Sequence, residues 1–208
     1  MHLSILIPSV FDRDPSALVK KLLGQIGDKA VEVLVLADNR KRSTGHKRQA
    51  LLDTAQGAYV TYIDDDDDVS RDYIHEIYWA INEQIQGDQL HGSPRADVIV
   101  FNSQAQLLGY GFGENPYIVY TGIEYENEES KMEGDRRVDI HRKPWHWCVW
   151  EASLAKSARF PDGYIDDDWY WLRQMMPRVQ RQHRIAKVLH FYCYNQKTSL
   201  SGQGQPTC

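Results

Sequence analysis

Apolar positions in the first hundred residues alternate between two periods. Leu3-Ser4-Ile5-Leu6-Ile7-Pro8 is a short, near-continuous apolar run closed by proline, the pattern of a buried strand. Leu18, Val19, Leu22 and Leu23 recur at helical spacing behind Pro15, which suits a first helical turn. Val31 to Leu36 reads as a second strand, ending at Ala37-Asp38-Asn39. Polar, basic Arg40 to Thr44 reads as a loop. A helix follows from about Gly45, with Ala50, Leu51 and Ala55 inward and Gly57 at its end. Ala58 to Ile63 is a third strand. Ser70 is a plausible N-cap for a helix carrying Tyr73, Ile74, Ile77, Tyr78 and Ile81. Gly87 to Pro94 reads as a turn-rich loop and Asp97 to Phe101 as a fourth strand.

This β-α-β-α-β-α-β rhythm predicts an α/β fold, a mostly parallel sheet flanked by helices. Right-handed crossovers then bring the loops after Ile7, Leu36 and Ile63 to one sheet edge. Open α/β sheets bind their ligands at that edge. After Phe101 the rhythm breaks. Leu107 to Phe112 and Tyr117 to Tyr125 read as a hairpin or meander, and Glu124 to Arg137 as an exposed, charged loop. A short helix is expected over Glu151 to Ser157 and a turn at Phe160 to Gly163. Asp166-Asp167-Asp168 opens a helix through Trp169, Leu172 and Met176, where acidic residues favour the N-terminus. Ile185 to Tyr194 reads as a last strand and Ser199 to Cys208 as a polar tail. With no repeat or linker in view, residues 1–208 are expected to form one domain, with a smaller lobe in the C-terminal half.

Composition narrows the classes. The net charge of −5 over 208 residues argues against nonspecific nucleic-acid binding. A basic face stays open around Lys41, Arg42, Lys47 and Arg48, and nucleic acid stays open as a partner through Lys131, Arg136, Arg137, Arg142 and Lys143. Cys148, Cys193 and Cys208 show neither metal-ligand spacing nor a disulfide framework, which fits a reducing cytoplasm. Leu3 to Ile7 is too short for a signal-peptide core, and no apolar stretch approaches the roughly 20 residues of a membrane helix. Six Trp and twelve Tyr suggest a cleft or contact face as well as a core. Gly109, Gly111 and Gly113 are not a dinucleotide fingerprint, because no strand-to-helix turn accompanies them.

The chemistry concentrates in two acidic clusters. Five aspartates, Asp64 to Asp68, follow the third strand at the ligand-binding edge. Adjacent carboxylates repel, and a cation relieves them. An all-oxygen donor set suits Mg²⁺, Mn²⁺ or Ca²⁺. The second cluster is Asp166-Asp167-Asp168, either an acidic helix cap or a source of a general base.

Taken together, Leu3 to Pro8, Val33 to Asn39, Gly45-His46-Lys47-Arg48 and Ala55 to Asp67 resemble the nucleotide-binding half of family-2 glycosyltransferases, which have the GT-A fold. The likeness covers about the first hundred residues. Beyond them it is limited to Asp166-Asp167-Asp168-Trp169 and the surroundings of His190. It implies a nucleotide-sugar-binding half over 1–103 and an acceptor and catalytic half over 104–208. Asp64-x-Asp66 matches a DXD signature, in which carboxylates hold a divalent cation (Mn²⁺ or Mg²⁺) and the sugar nucleotide. Asp66 is then the leading metal ligand, with Asp64 on metal or donor, Asp65 beside the donor, and His190 a candidate third ligand. Asp38 matches a residue that binds the nucleobase, or else caps a turn. Lys47 and Arg48 match a basic pair near the donor, and Pro8 and Ser9 a loop over the nucleotide. In the second cluster, Asp167 or Asp168 matches the base of inverting members. Trp145, His146 and Trp147 either stack on the sugar or acceptor or pack a lobe core. The implied activity is metal-dependent transfer of a sugar from a nucleoside diphosphate sugar, by default a UDP-sugar, to a hydroxyl with inversion.

Overall fold

The computed structural model describes residues 1–108 and 115–195. The segment Gly109–Gly113, the end of the expected 107–112 strand and the tail from Ser199 lie outside the described residues. The chain runs β1 (Leu3–Val10), α1 (Ser16–Ile26), β2 (Val31–Asp38), α2 (Thr44–Thr54), β3 (Tyr59–Tyr62), β4 (Asp68–Val69), α3 (Tyr73–His91) and β5 (Val98–Leu108). It continues with β6 (Tyr117–Thr121), β7 (Glu129–Glu133), β8 (Arg136–Arg142), β9 (Val149–Glu151), α4 (Ala152–Lys156), α5 (Asp167–Met175), a 3₁₀ turn at Met176–Arg178 and β10 (Gln182–Asn195).

One sheet takes in all these strands, in the order β2-β1-β3-β9-β5-β6-β8-β7, with β10 on the other side of β5 and β4 against β10. Strands β2, β1 and β3 are parallel to one another, as are β5 and β10. The expected fourth strand, β5, does not lie beside β3. The antiparallel β9 is inserted between them, pairing Val60 with Trp150 on one side and Val98 with Trp150 on the other. The two halves of the sequence therefore share one sheet.

Every residue of β1 is buried, which explains its near-continuous apolar run. Of its two buried polar side chains, Ser4 and Ser9, Ser4 is satisfied on both sides. It donates to Glu32 Oε1 at 2.6 Å and accepts from the Gly57 amide at 2.8 Å. Gly57 cannot carry a side chain, because a Cβ there would lie 2.6 Å from the Ser4 nitrogen. Helices flank the sheet: α1 packs with α3, and α2 packs with α4 and α5.

Two expectations are corrected. Helix α3 runs through Gly87 to His91 and stops at Gly92, whose φ of 62° supplies a left-handed end. A helix interior tolerates a single glycine at a cost of about 1 kcal/mol. The charged 124–137 stretch contains β7, and β8 follows it at once as a hairpin partner. Every β7 residue is exposed, so no apolar alternation marks it.

The aromatic core fixes α5. Phe160 stacks on Trp171 at 4.6 Å, and Tyr62 and Trp150 meet the same indole edge-on at 5.7 and 5.8 Å. Trp171 lies one helical turn beyond Asp167, so its burial sets where the N-terminus of α5 points. No helix among the described residues is long and apolar enough to cross a membrane.

Candidate functional site

A cavity of about 370 Å³ opens at the carboxyl ends of β1 and β3. It brings together Pro8, Ser9, Lys47, Arg48, Asp64, Asp65, Asp66, Trp145, His146, Trp147, Asp167 and Asp168. Asp38 and His190 are not part of its lining.

The five aspartates have five different environments. Asp64 is held by Arg48 at 2.8 Å and lies 3.5 Å from His146 Nε2. Burial opposes ionisation of Asp64, but Arg48 and His146 overcome it and hold the carboxyl far below the usual range. Asp65 accepts from Ser9 Oγ at 2.9 Å, from the Val10 amide and from Arg13 at 2.7 Å, so it fastens the loop after β1. Asp66 faces the cavity with Arg13 at 2.9 Å. Burial, then the charge of Asp64, pushes its pKa up to about 7 even though Arg13 opposes the shift. Asp67 turns inward to His190 at 3.0 Å, and its other oxygen is buried without a hydrogen-bond partner. Asp68 pairs with Lys21 at the surface.

Arg48 joins the two acidic clusters. One amino group donates to Asp64 and the other to Asp167 at 2.8 Å, across 119 residues of sequence. The N-terminus of α2 makes this possible by docking on the 161–167 turn. Ser43 caps the helix by accepting from the His46 amide, and the Gly45 amide donates to the Gly163 carbonyl at 3.0 Å. A Cβ on Gly45 would fall 1.9 Å from the Pro161 oxygen and 3.1 Å from the Asp167 Cβ. The glycine that sequence reading places at a helix start is thus the contact that seats Asp167.

Asp167 and Asp168 have opposite environments. Burial raises Asp167, with Arg48 acting against the shift and Asp168 for it. Burial also opposes ionisation of Asp168, but His146, at 2.8 Å through Nδ1, outweighs it and draws the carboxyl well below the usual range. His146 is raised: burial and Arg48 work against its charge, and Asp168 and Asp64 more than compensate. His146 therefore belongs to the charge network rather than to an aromatic platform.

Several expected contacts are committed elsewhere. Lys47 donates to the Ser9 carbonyl at 2.8 Å and meets Asp38 at 3.3 Å, tying the ends of β1 and β2. Asp38 also accepts from the Arg40 and Arg42 amides, which is the turn-capping alternative. His190 is fully buried, with Nδ1 2.8 Å from Ser103 Oγ, Nε2 on Asp67, and its ring stacked on Trp147. Binding a metal at the cavity would require His190 to leave all three contacts. The basic residues considered for nucleic acid do not share one setting. Arg42 lies 3.6 Å from Asp38, and Lys131 and Arg136 alternate with Glu129, Glu133 and Asp135 on the β7–β8 hairpin.

Among the described residues, no three His, Cys, Asp or Glu side chains converge as a closed metal cage. The donor set is instead an open one. Asp66 faces the cavity in a surplus of negative charge that Arg13 only partly offsets. Mg²⁺-type sites commonly use one or two carboxylates and complete their shell with substrate phosphates and water, so the residues fit such an ion. Arg13 and Arg142 also line the cavity; the sequence offers Arg142 only as a phosphate contact to nucleic acid, and Arg13 carries no sequence signal of its own. Arg13 is two residues from Phe11, outside any motif, and pairs with the aspartates only in three dimensions.

No protein-family model matches the chain, and no curated protein matches it in sequence. Solved structures do match in fold. Residues 1–349 of Staphylococcus aureus TarS superpose with a TM-score of 0.57 alone, 0.58 in complex with UDP-GlcNAc and 0.54 in complex with UDP, each at 13% identity. In these comparisons 93% of this chain is covered, and the chain spans 58 to 60% of the TarS fragment. At that identity the likeness speaks for the fold, which is the GT-A-like architecture expected from the sequence.

Proposed function

We propose that the protein transfers a sugar from a nucleoside diphosphate sugar, with UDP as the favoured nucleotide, to a hydroxyl acceptor. The observation that carries this reading is the cavity itself: donor-side Asp64, Asp65 and Asp66 and base-side Asp167 and Asp168 line one space, joined by Arg48. The fold shared with TarS, which has been seen with UDP-GlcNAc and UDP, supports the choice of donor.

Asp66, with Asp64 beside it, would hold Mn²⁺ or Mg²⁺. A bound divalent ion supplies Lewis-acid stabilisation of the departing diphosphate. Ser9 and the loop after β1, fastened by Asp65, shape the nucleotide side. Asp167 is the favoured base, because its raised pKa makes it the stronger proton acceptor of the pair. It would take the acceptor hydroxyl proton as the oxygen attacks the anomeric carbon opposite the diphosphate, giving inversion. Asp168, kept ionised by His146, is the alternative base.

The test is thermal stabilisation by UDP-GlcNAc with and without Mn²⁺, followed by donor turnover. Asp167→Asn is expected to retain donor binding and lose about 10²–10⁴-fold in transfer. If UDP-, GDP- and dTDP-sugars all fail to stabilise the protein with any divalent ion, the reading is wrong.

A further inference from the structure

The cations on the donor side of the cavity are committed. Lys47 is held by Ser9 and Asp38, Arg48 by two aspartates, and Arg13 by Asp65 and Asp66. Arg142, at the end of β8, differs. Its ion pair is with Glu128, a half-exposed residue 3.3 Å away. Its Nε is buried and has no hydrogen-bond partner. Its guanidinium carbon lies 3.8 Å from the Trp145 ring centroid and 5.9 Å from that of Trp147.

A guanidinium stacked on an indole uses its π face and leaves its N–H donors in the plane of the fork. That fork matches the oxygens of a phosphate or carboxylate. Trp145 therefore acts as a backing plate for a cation, because the ring has Arg142 over one of its faces. Trp145 adjoins His146, which holds Asp168 at 2.8 Å, and Arg142, Trp145, Asp167 and Asp168 line the same cavity. This puts the guanidinium on the side of the cavity that holds the base.

We propose that the acceptor is anionic, and that Arg142 binds a phosphate or carboxylate of the acceptor near its reactive hydroxyl, with Trp145 as the positioning residue. The inference rests on the glycosyltransfer reading, in which the base side faces the acceptor. Glu128 holds the guanidinium until the acceptor anion takes its place.

The test is calorimetric titration of protein saturated with UDP and Mn²⁺, so that the diphosphate site is filled. The probes are glycerol 3-phosphate and glucuronate, with glycerol and glucose as neutral counterparts. The anions are expected to bind and the neutral compounds not. Arg142→Gln should weaken anion binding about tenfold or more, the scale of a lost charge-assisted contact, and leave UDP affinity unchanged. Trp145→Leu should weaken anion binding less. Glu128→Gln, at an exposed position, should tighten it by removing the competing carboxylate, so the idea stays testable if Arg142→Gln misfolds. Glycerol 3-phosphate selects a phosphate acceptor and glucuronate a carboxylate one. Equal binding of neutral and anionic probes, or insensitivity to both Arg142→Gln and Glu128→Gln, overturns the proposal. So does a matching loss of UDP affinity in Arg142→Gln, which would make Arg142 a donor contact. Failure of UDP itself to bind counts against the donor reading instead, and is read in the first titration.

Discussion

Replacing Arg48 with Met keeps the aliphatic bulk and removes the charge shared by the two acidic clusters. The side chains of Arg48 and Asp167 are 5% and 4% exposed, whereas that of Asp64 is 26% exposed. Breaking a buried ion pair from one side costs about 3–5 kcal/mol, because a buried charge is left uncompensated. Asp64 retains His146 and some water, so its share is small. Asp167, for which Arg48 is the one ion-pair partner among the described residues, carries most of the cost. In a chain of this size about 3–5 kcal/mol corresponds to a fall in Tm of roughly 6–20 °C. The loss has a pH signature. Without Arg48 both carboxyls shift upward, so ionising them in the folded state costs stability once the pH exceeds their unfolded values near 4. The gap between Arg48→Met and wild type should therefore narrow by up to about 1.4 kcal/mol per pH unit for each carboxyl that stays protonated. Urea unfolding at pH 7.5 and pH 5 measures both quantities. A gap below about 1 kcal/mol at pH 7.5, or one that widens on acidification, refutes the view of Arg48 as a buried charge hub.

Other residues give equally direct tests. Asp66→Asn should abolish Mn²⁺-dependent stabilisation by a UDP-sugar in a thermal-shift assay. Without metal the same variant should be no less stable at pH 8, because a carboxyl raised to about 7 contributes stability only at low pH and loses it as the pH rises. His190→Leu should destabilise the protein by about 1–3 kcal/mol in urea by leaving a buried Asp67 oxygen without its hydrogen-bond partner, yet leave the Mn²⁺ requirement intact; a lost Mn²⁺ response would restore His190 as a ligand. Gly45→Ala should cut transfer more than donor binding, since the new methyl displaces Pro161 and the start of α5. Equal effects on the two would place that contact outside the base's support.

Strand ends are legible in the sequence because the fully buried β1 and β3 form near-continuous apolar runs, and the half-buried edge strand β2 falls on such a run too. The acidic clusters were legible as compositional anomalies at those ends. Long-range pairings were not. Nothing local ties Asp67 to His190, 123 residues away, or separates Asp66, which faces the cavity, from Asp67, which turns from it. The Trp145–Trp150 segment reads as one aromatic cluster, but it supplies a backing plate, a histidine between two aspartates and part of a central strand in six residues. Arg13 is not legible, because a lone basic residue in a loop resembles any solvated arginine.

The insertion of β9 has a consequence for how the chain is made. A ribosome delivers β3 and β5 before the strand that sits between them. Until Val149–Glu151 has emerged, their facing edges have no partner, and open edges invite pairing with other chains. The gap between β3 and β5 is therefore filled only when β9 emerges, and β10 covers the other side of β5 later still; the donor-side aspartates acquire His146 just before β9 and Asp167 after it. For this nascent chain, the segment that closes the open strand edges between β3 and β5 is joined directly to the one that supplies the cavity's His146.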